Sequence, residues 1–231
     1  MSTLDFKVDV IKTDRKKSAS IQLEGNLVKV RVPKSLSDNR INDLIKKRTP
    51  WIQAKLKEYS ARPVTIPKKY HNGGTFPYLG KNYTLKVHDG DVSSIKMKSG
   101  YFNITISQSE KNKNDKIKDL LIDWYQSHAK KYLKEKTYQL SELIGAMPTS
   151  VSVKSYKSRW GSCSSTGVID YNWRIILAPN HIIDYVVIHE LCHLLEHNHS
   201  PKYWQIVEKH SPNWRDSKEW LKNNHDLLNN L

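Results

Sequence analysis

The chain has only two cysteines, Cys163 and Cys192, among its 231 residues. They form neither a CxxC pair nor a repeated framework, so the sequence excludes a disulfide-stapled scaffold and gives no support for a structural zinc finger. Because isolated cysteines are typical of proteins in reducing compartments, we expect free thiols and a cytoplasmic protein.

Long apolar runs are also missing. The start, MSTLDFKVDV, has acids and a lysine where a signal peptide needs uninterrupted apolar residues. The most apolar later stretch, IIDYVVIHELCHLL, contains charged and polar side chains that a membrane-spanning helix rarely carries, namely Asp184, His189, Glu190 and His193. We therefore expect neither export nor a membrane partner.

Acidic residues are scarce beside basic ones. There are 23 Asp and Glu against 38 Lys and Arg, which gives a formal net charge of +15. The basic residues are scattered in short clusters such as Lys46-Lys47-Arg48, without a long basic block. Such a spread fits a solvated basic surface, and it also fits nucleic acid or another acidic partner. Composition does not decide between these interpretations, and it gives no oligomeric state.

The first half of the chain contains alternating apolar and polar segments. Near the start, three segments predict short strands with a hairpin turn at Gly25-Asn26: FKVDVI, SASIQL and LVKVRV. The segment INDLIKKRTPWIQAKLKEY predicts a helix interrupted near Pro50. Three later segments again alternate and predict more antiparallel sheet: KNYTLKVHD, SSIKMKS and YFNITISQ. The polar SEKNKND then predicts a boundary near Asn112.

The second half has the periodicity of helices and of short strands. A long apolar stripe at helical spacing ends at Gly145. The segment SVSVKSYKSRWGSCSSTGVIDYNWRIIL predicts two or three strands with turns at GSCSSTG, which begins at Gly161. The segment IIDYVVIHELCHLLEH predicts a helix followed by shorter ones. The predicted fold class is therefore α+β, with an N-terminal antiparallel β-rich half in residues 1–112 and a helix-and-sheet half in residues 113–231.

Residues 189–199, HELCHLLEHNH, place four histidines and two glutamates in eleven positions. On a helix, residues four apart differ by roughly 40° around the axis, so His189 and His193 direct their imidazoles to the same point. Glu190 lies about 100° around the axis, where it can reach a metal-bound water without being a ligand. The alternative is a charged helix face. The apolar surroundings favour a metal, because buried ring nitrogens need partners.

A third ligand has to come from outside the HExxH segment. Catalytic zinc takes three protein ligands and leaves one position open to water. If the helix continued, His197 would lie about 12 Å from His189 along the axis, too far for zinc–nitrogen bonds of about 2 Å. Asn198 and Pro201 favour a helix end, after which His199 returns toward the metal. We therefore predict His199 as the third ligand and a capping or hydrogen-bonding role for His197.

Several motifs in one order make the chain resemble the YgjP-like metallopeptidases, which are related to the SprT and WLM proteases: SRWGSCSS, YNWRIILAP, IDYVVIHELCHL and EHNHSPKYW. The resemblance is strong from Ser158 to Trp204 and weaker in the N-terminal half, at DRKKSASIQL and VKVRVP. It implies that both halves form one unit with a zincin-like catalytic half. It also implies zinc bound by His189, His193 and His199, with Glu190 as the catalytic residue.

The same motifs draw attention to Arg159, Trp160, Asn172, Trp173 and Arg174. One interpretation is structural, with tryptophans filling a core and arginines at strand ends. The other is that this strand pair borders the cleft, where Arg159 or Arg174 holds a carbonyl or an anionic group of the substrate. Both arginines are predicted substrate-binding residues.

The predicted activity is metal-assisted hydrolysis of a protein or peptide substrate. Zinc, the predicted cofactor, polarises the carbonyl and lowers the pKa of its water, while Glu190 takes the proton and returns it to the leaving amine. We expect an extended substrate to pair with the segment VIDYNWRIIL beside the metal helix. Two other classes stay open: a zinc phosphohydrolase acting on nucleotides, and a nucleic-acid-associated protease or binding module.

Overall fold

The computed structural model describes residues 6–24, 27–60 and 70–231. The chain forms two compact units, Met1–Val64 and Thr65–Leu231. Asn112, where the sequence predicts a boundary, lies within the second unit and caps a long helix there. Small sheets alternate with helices in both units, which confirms the α+β class.

The first unit packs one helix on a small sheet. Its elements are β1 (Lys7–Thr13), β2 (Ser20–Glu24), β3 (Leu27–Pro33) and α1 (Asp38–Ser60). Strand β3 is central, antiparallel to β2 and parallel to β1, so pairing is mixed rather than antiparallel throughout. Alternate residues of β3 are fully buried with one face of α1. The predicted turn at Gly25-Asn26 lies outside the described residues.

Helix α1 runs through Pro50 without the predicted interruption. Proline removes one backbone hydrogen bond from a helix interior but can be tolerated where packing holds both sides. Here Ile45 and Ile52, on either side of Pro50, are both buried in the core of this unit. Burial of the apolar face therefore outweighs the lost hydrogen bond.

The second unit begins with a mixed sheet. Its strands are β4 (Thr75–Tyr78), β5 (Lys81–Gly90), β6 (Ser94–Lys98) and β7 (Tyr101–Ser107), in the order β4-β5-β7-β6. The pair β5–β7 is parallel and the other two pairs are antiparallel. Helix α2 (Lys113–Ile144) follows and contacts β6 and β7. It ends where Gly145 adopts a left-handed conformation and donates its N–H to the carbonyl of Ser141, as the glycine predicts.

A second small sheet lies next to the histidine-rich helix. It contains β8 (Ser150–Lys154), β9 (Gly161–Cys163) and β10 (Val168–Asn172), in the order β8-β10-β9. Strand β10 is therefore central and β9 lies at an edge.

The prediction that a strand continues through Trp173 to Leu177 is wrong, because these residues form a 3-10 helix. Asn172 ends the strand. Its side chain accepts a hydrogen bond from the N–H of Arg174 and donates to the carbonyls of Tyr156 and Arg159. These hydrogen bonds from the Asn172 side chain replace the backbone hydrogen bonds that would otherwise continue the strand.

Four helices complete the chain: α3 (Asn180–Cys192), α4 (Pro201–His210), α5 (Trp214–Asn223) and α6 (His225–Asn229). Helix α3 is apolar almost all round and is buried between α2, α4, α5 and β9. A helix of this kind belongs in a core. Within the three described ranges, no helix combines the length and the apolarity that crossing a membrane requires.

Candidate metal centre

The end of α3 and the turn after it bring three histidines together. His189 lies in the last turn of α3 and His193 caps that helix. The chain then turns and re-enters a helix at Ser200, whose hydroxyl accepts the N–H of Tyr203. The helix therefore ends earlier than the sequence predicts, at His193 rather than at Asn198. The turn places His199 beside the other two imidazoles.

The spacing of the ring nitrogens fits a zinc ion. One ligand atom from each of His189, His193 and His199 lies within 4.8 Å of the others. The Nε2 atoms of His189 and His199 are 3.3 Å apart. Tetrahedral zinc with bonds of about 2.0–2.1 Å separates neighbouring nitrogens by roughly 3.3 Å. Three imidazoles that converge in this way match the donor set of a catalytic zinc site with one open position.

The local environment favours the neutral, metal-binding form of His189 and His193. Burial, together with His193, His199 and Lys218, lowers the pKa of His189 to about 3. Burial also lowers the pKa of His193. The Nδ1 atom of His193 lies 3.2 Å from the carbonyl oxygen of Glu196, a bond that leaves Nε2 free to face a metal.

Two aromatic side chains of α4 hold the imidazoles in place. The Tyr203 hydroxyl donates to the carbonyl of His189 at 2.9 Å, and the Tyr203 ring stacks on His193 with centroids 4.5 Å apart. The Trp204 ring stacks on His199 with centroids 5.5 Å apart. The histidine positions therefore depend on packing as well as on helix spacing.

Glu190 is 5% exposed and lies beside His189 and Gly161 in two adjoining cavities. A Cβ atom built on Gly161 would meet the Oε1 and Cγ atoms of Glu190 at 2.5 and 2.7 Å, so the strand approaches this carboxyl closely. Burial raises the pKa of Glu190 to about 8, and the positive charge of Arg159 opposes that rise. A carboxyl group next to three converging imidazoles suits proton transfer.

The two predicted substrate-binding arginines lie in different surroundings. Arg159 lines a cavity of about 330 Å³ together with His189 and Glu190. Arg174 donates to the hydroxyl of Ser155 at 2.9 Å, and its guanidinium lies 4.5 Å from the centroid of the Trp173 ring. Arg174 lines neither of the two cavities that border the histidines.

The remaining residues of the same motifs divide between core and cleft. Trp173 and Asn172 are buried, as the structural interpretation expects. Trp160 lines the cavity that Arg159 borders, and His197 lines the cavity beside His193 and His199. Of the cysteines, Cys192 is buried and Cys163 lines the cavity beside the histidines, and both are free thiols.

Gly161 and Lys218 lie at this site although the sequence does not mark them as functional residues. Gly161 was predicted within a turn, yet it begins β9 and contacts Glu190. Lys218 comes from α5, 19 residues after His199, and lines the Arg159 cavity. No local motif marks Lys218. Its only sequence signal is the apolar spacing that predicts a helix there.

The strand with a free edge beside the histidines is β9 rather than β10. The carbonyl of Trp160 accepts from the N–H of Asn172 at 2.8 Å, and the N–H of Ser164 donates to Val168 at 2.9 Å. In an antiparallel ladder, residues that hydrogen-bond to the neighbouring strand alternate with residues that do not. Trp160 and Ser164 bond to the strand segment of β10, so the N–H and C=O groups of Gly161, next to Trp160, point away from β10. Those of Cys163 do the same. Both residues line the cavity beside the histidines.

Comparison with known proteins places these observations in a family. The chain matches the family described as YgjP-like, metallopeptidase domain, over residues 17–224. It is also similar to the crystal structure of the metallopeptidase zymogen abylysin of Pyrococcus abyssi, with 22% identity and a TM-score of 0.33 over 36% of this chain and 89% of that chain. The corresponding zymogen jannalysin of Methanocaldococcus jannaschii gives 22% identity and a TM-score of 0.36 over 41% of this chain and 96% of that chain. The search of curated proteins found no match. Since the family match spans most of the sequence, the chain belongs to the YgjP-like metallopeptidase-domain family.

Proposed function

We propose that the protein is a zinc metallopeptidase in which His189, His193 and His199 bind the metal and Glu190 is the general base. The observation that carries this proposal is the convergence of three imidazoles beside a buried carboxyl group. Family membership supports peptide-bond hydrolysis as the reaction class. The free cysteines also fit the expected cytoplasmic location.

The histidines and Glu190 have different roles in the proposed hydrolysis. When bound, zinc would act as a Lewis acid that polarises the scissile carbonyl and lowers the pKa of the water it binds. Glu190 accepts the proton of the attacking water and then returns it to the nitrogen of the leaving amine. The three histidines act through their ring nitrogens. The Tyr203 ring and the backbone carbonyl of Glu196 help to orient His193.

An extended substrate fits best along β9. The outward backbone groups of Gly161 and Cys163 suit hydrogen bonds to another strand, and both residues lie next to Glu190 or the histidines. Pairing through the backbone is tolerant of substrate sequence. We therefore expect flexible or unfolded segments to be cleaved with loose preference.

The test is a comparison of the zinc-loaded wild type with Glu190→Gln on unstructured peptides. Removing a general base typically lowers turnover by about 100- to 10,000-fold, whereas zinc content should stay unchanged because no ligand is lost. Glu196→Gln is a matched control, since its side chain lies by Lys202, 3.8 Å away, and outside both cavities. Full activity in Glu190→Gln would exclude the proposed mechanism.

The same assay also tests the two other candidate functions, a phosphohydrolase and a binding module. Arg159 and Lys218 line the cavity beside Glu190, and such cations also suit phosphate groups. Nucleoside triphosphates are therefore tested beside the peptides, and their hydrolysis without peptide cleavage would assign a phosphohydrolase. The charge of +15 motivates a parallel assay with and without DNA. Biological activity that survives Glu190→Gln would assign a binding module instead.

A further inference from the structure

The proposed chemistry uses only His189 and Glu190 among the residues that line the cavity bordered by Arg159. This cavity adjoins Glu190 and His189 on one side and α5 on the other. Its volume of about 330 Å³ is at the small end of ligand pockets, which are typically about 300–1,000 Å³. This is room for one substrate residue next to the cleaved bond.

The walls of this cavity are largely apolar. Trp160, Tyr185, Val186 and Leu221 all line it, and the last three are at most 6% exposed. Apolar side chains fixed in a core give a preformed surface for an apolar substrate group, because little ordering is required on binding.

The rim carries positive charge. Arg159, Lys218 and Lys222 line the cavity and are exposed, whereas Glu190 is the sole carboxyl group among its lining residues in the described part of the chain. Over the same described ranges, neither Arg159 nor Lys218 forms an ion pair with a carboxylate. Two such cations at the rim of an apolar cavity are complementary to an anionic ligand that also has an apolar part.

Lys218 is held at this rim by two stacked tryptophans. Its ammonium lies 4.9 Å from the centroid of Trp204 and 5.7 Å from that of Trp214, and the two rings are stacked 4.1 Å apart. Trp204 also stacks on His199. Trp204 therefore contacts both His199, a proposed metal ligand, and Lys218 at the rim, and it fixes the position of one relative to the other.

Resting on the proposed peptidase function, we propose that this cavity adds to the loose preference along β9 a moderate preference for substrates in which an apolar residue next to the cleaved bond is accompanied by a carboxylate. The apolar side chain occupies the cavity, and Arg159 and Lys218 bind the carboxylate. That carboxylate belongs either to a neighbouring Asp or Glu side chain or to the substrate's own C-terminus, since both present the same group.

The test measures binding separately from cleavage. Zinc-loaded Glu190→Gln is titrated with two pairs of unstructured peptides that contain one phenylalanine. The first pair has Glu or Gln after the phenylalanine and an amidated C-terminus; the second ends at the phenylalanine as a free acid or as an amide. We expect a Kd about tenfold lower for the carboxylate member of one pair, a difference equivalent to about 1.4 kcal/mol. The pair that responds identifies the source of the carboxylate.

Further substitutions connect this selectivity to the rim. In the same Glu190→Gln background, Arg159→Met and Lys218→Met should each reduce the Kd ratio toward one. Lys131→Met, at an exposed lysine of α2 outside the cavity, should leave it unchanged. Equal Kd values within both pairs, or selectivity that survives both rim substitutions, would overturn the inference.

Cleavage by the wild type separates this inference from the proposed function. If the wild type cleaves the peptides while both pairs bind equally, the peptidase proposal stands and the carboxylate selectivity is wrong. If the Kd ratio depends on the rim while the wild type cleaves none of the peptides, the binding site stands and the peptidase proposal fails.

Discussion

The alpha carbon of Gly161 faces the carboxyl group of Glu190 so closely that a Cβ atom there would lie 2.5 Å from Oε1. Real Cβ atoms do not approach other atoms this closely, so a larger residue at position 161 displaces Glu190. The glycine that begins β9 thus makes room for the proposed general base.

We expect Gly161→Ala to lower kcat by about 100-fold while zinc content stays the same, because shifting a catalytic group by about 1 Å can have this effect. Steady-state kinetics and metal analysis measure the two quantities. Gly90→Ala is a matched control, since a Cβ there would clash with Thr105, outside both cavities. It should cost stability without lowering kcat. Wild-type kcat in Gly161→Ala would contradict the placement of Glu190.

The three-histidine site predicts about one zinc ion per chain, the stoichiometry of a single catalytic centre. His189→Ala, His193→Ala and His199→Ala should each lose most of this zinc after dialysis, because each removes a ligand. His197→Ala should keep it. Mass-spectrometric metal analysis of the purified variants gives the stoichiometry, and full zinc content in any of the first three would remove that residue from the ligand set.

The hydrogen bonds of Asp170, which lies outside the proposed metal site, predict that the stability of the fold depends on pH. Burial raises its pKa, but hydrogen bonds from Lys154, Ser152 and Tyr156 outweigh this, and the net pKa lies below its ordinary value. A depressed carboxyl pKa stabilises the fold above its unfolded value of about 3.9, and this contribution is lost as the pH falls through the folded pKa.

Asp170→Asn should therefore lower the free energy of unfolding by about 1.5–3 kcal/mol at pH 7, the usual contribution of a hydrogen bond to a charged group. The difference from the wild type should shrink as the pH falls through the depressed folded pKa of Asp170, because the native carboxylate is then protonated too. Urea unfolding with a chelator present in both samples keeps zinc binding out of the comparison. A difference that stays constant as the pH falls from 7 to well below the unfolded pKa of about 3.9 would show that the ionised carboxylate has no part in it.

Arg159 and Arg174 are predicted to differ in their effect on turnover. Arg159 lines the cavity beside Glu190, whereas Arg174 packs on Trp173 and bonds to Ser155. We expect Arg159→Ala to lower kcat/KM by roughly tenfold and Arg174→Ala by less, with zinc retained in both, since a substrate contact of this type is worth about 1.4 kcal/mol. A larger effect of Arg174→Ala on several unstructured peptides would place Arg174 in the substrate site.

The sequence predicted those strands and helix ends that depend on interactions between residues close together in the chain. The alternation from Lys81 to Ser107 gives the three strands with nearly their observed bounds, and Gly145 ends α2 as its freedom to adopt positive φ predicts. The four-residue spacing of His189 and His193 likewise follows from helix geometry alone. Each of these signals lies within a few residues of the structure it predicts.

The features that sequence did not predict depend on distant contacts. The parallel pairing of β1 with β3 and the short strand β4 are determined by their neighbours in the sheets. The end of β10 depends on Asn172 bonding to carbonyls 13 and 16 residues earlier. The helix end at His193 was unpredicted because Leu194 and Leu195 continue the apolar pattern beyond it.

The three-residue length of β9 has a consequence for the behaviour of the protein at high concentration. An unpaired strand edge is a template on which other copies of a chain can assemble, and natural proteins shorten such edges to prevent it. Strand β9 exposes the outward backbone groups of only Gly161 and Cys163, and it ends against a turn at Ser164. An edge this brief is too short to template a growing sheet, so the proposed pairing of extended substrates with β9 does not require a long exposed edge on which copies of the chain could assemble.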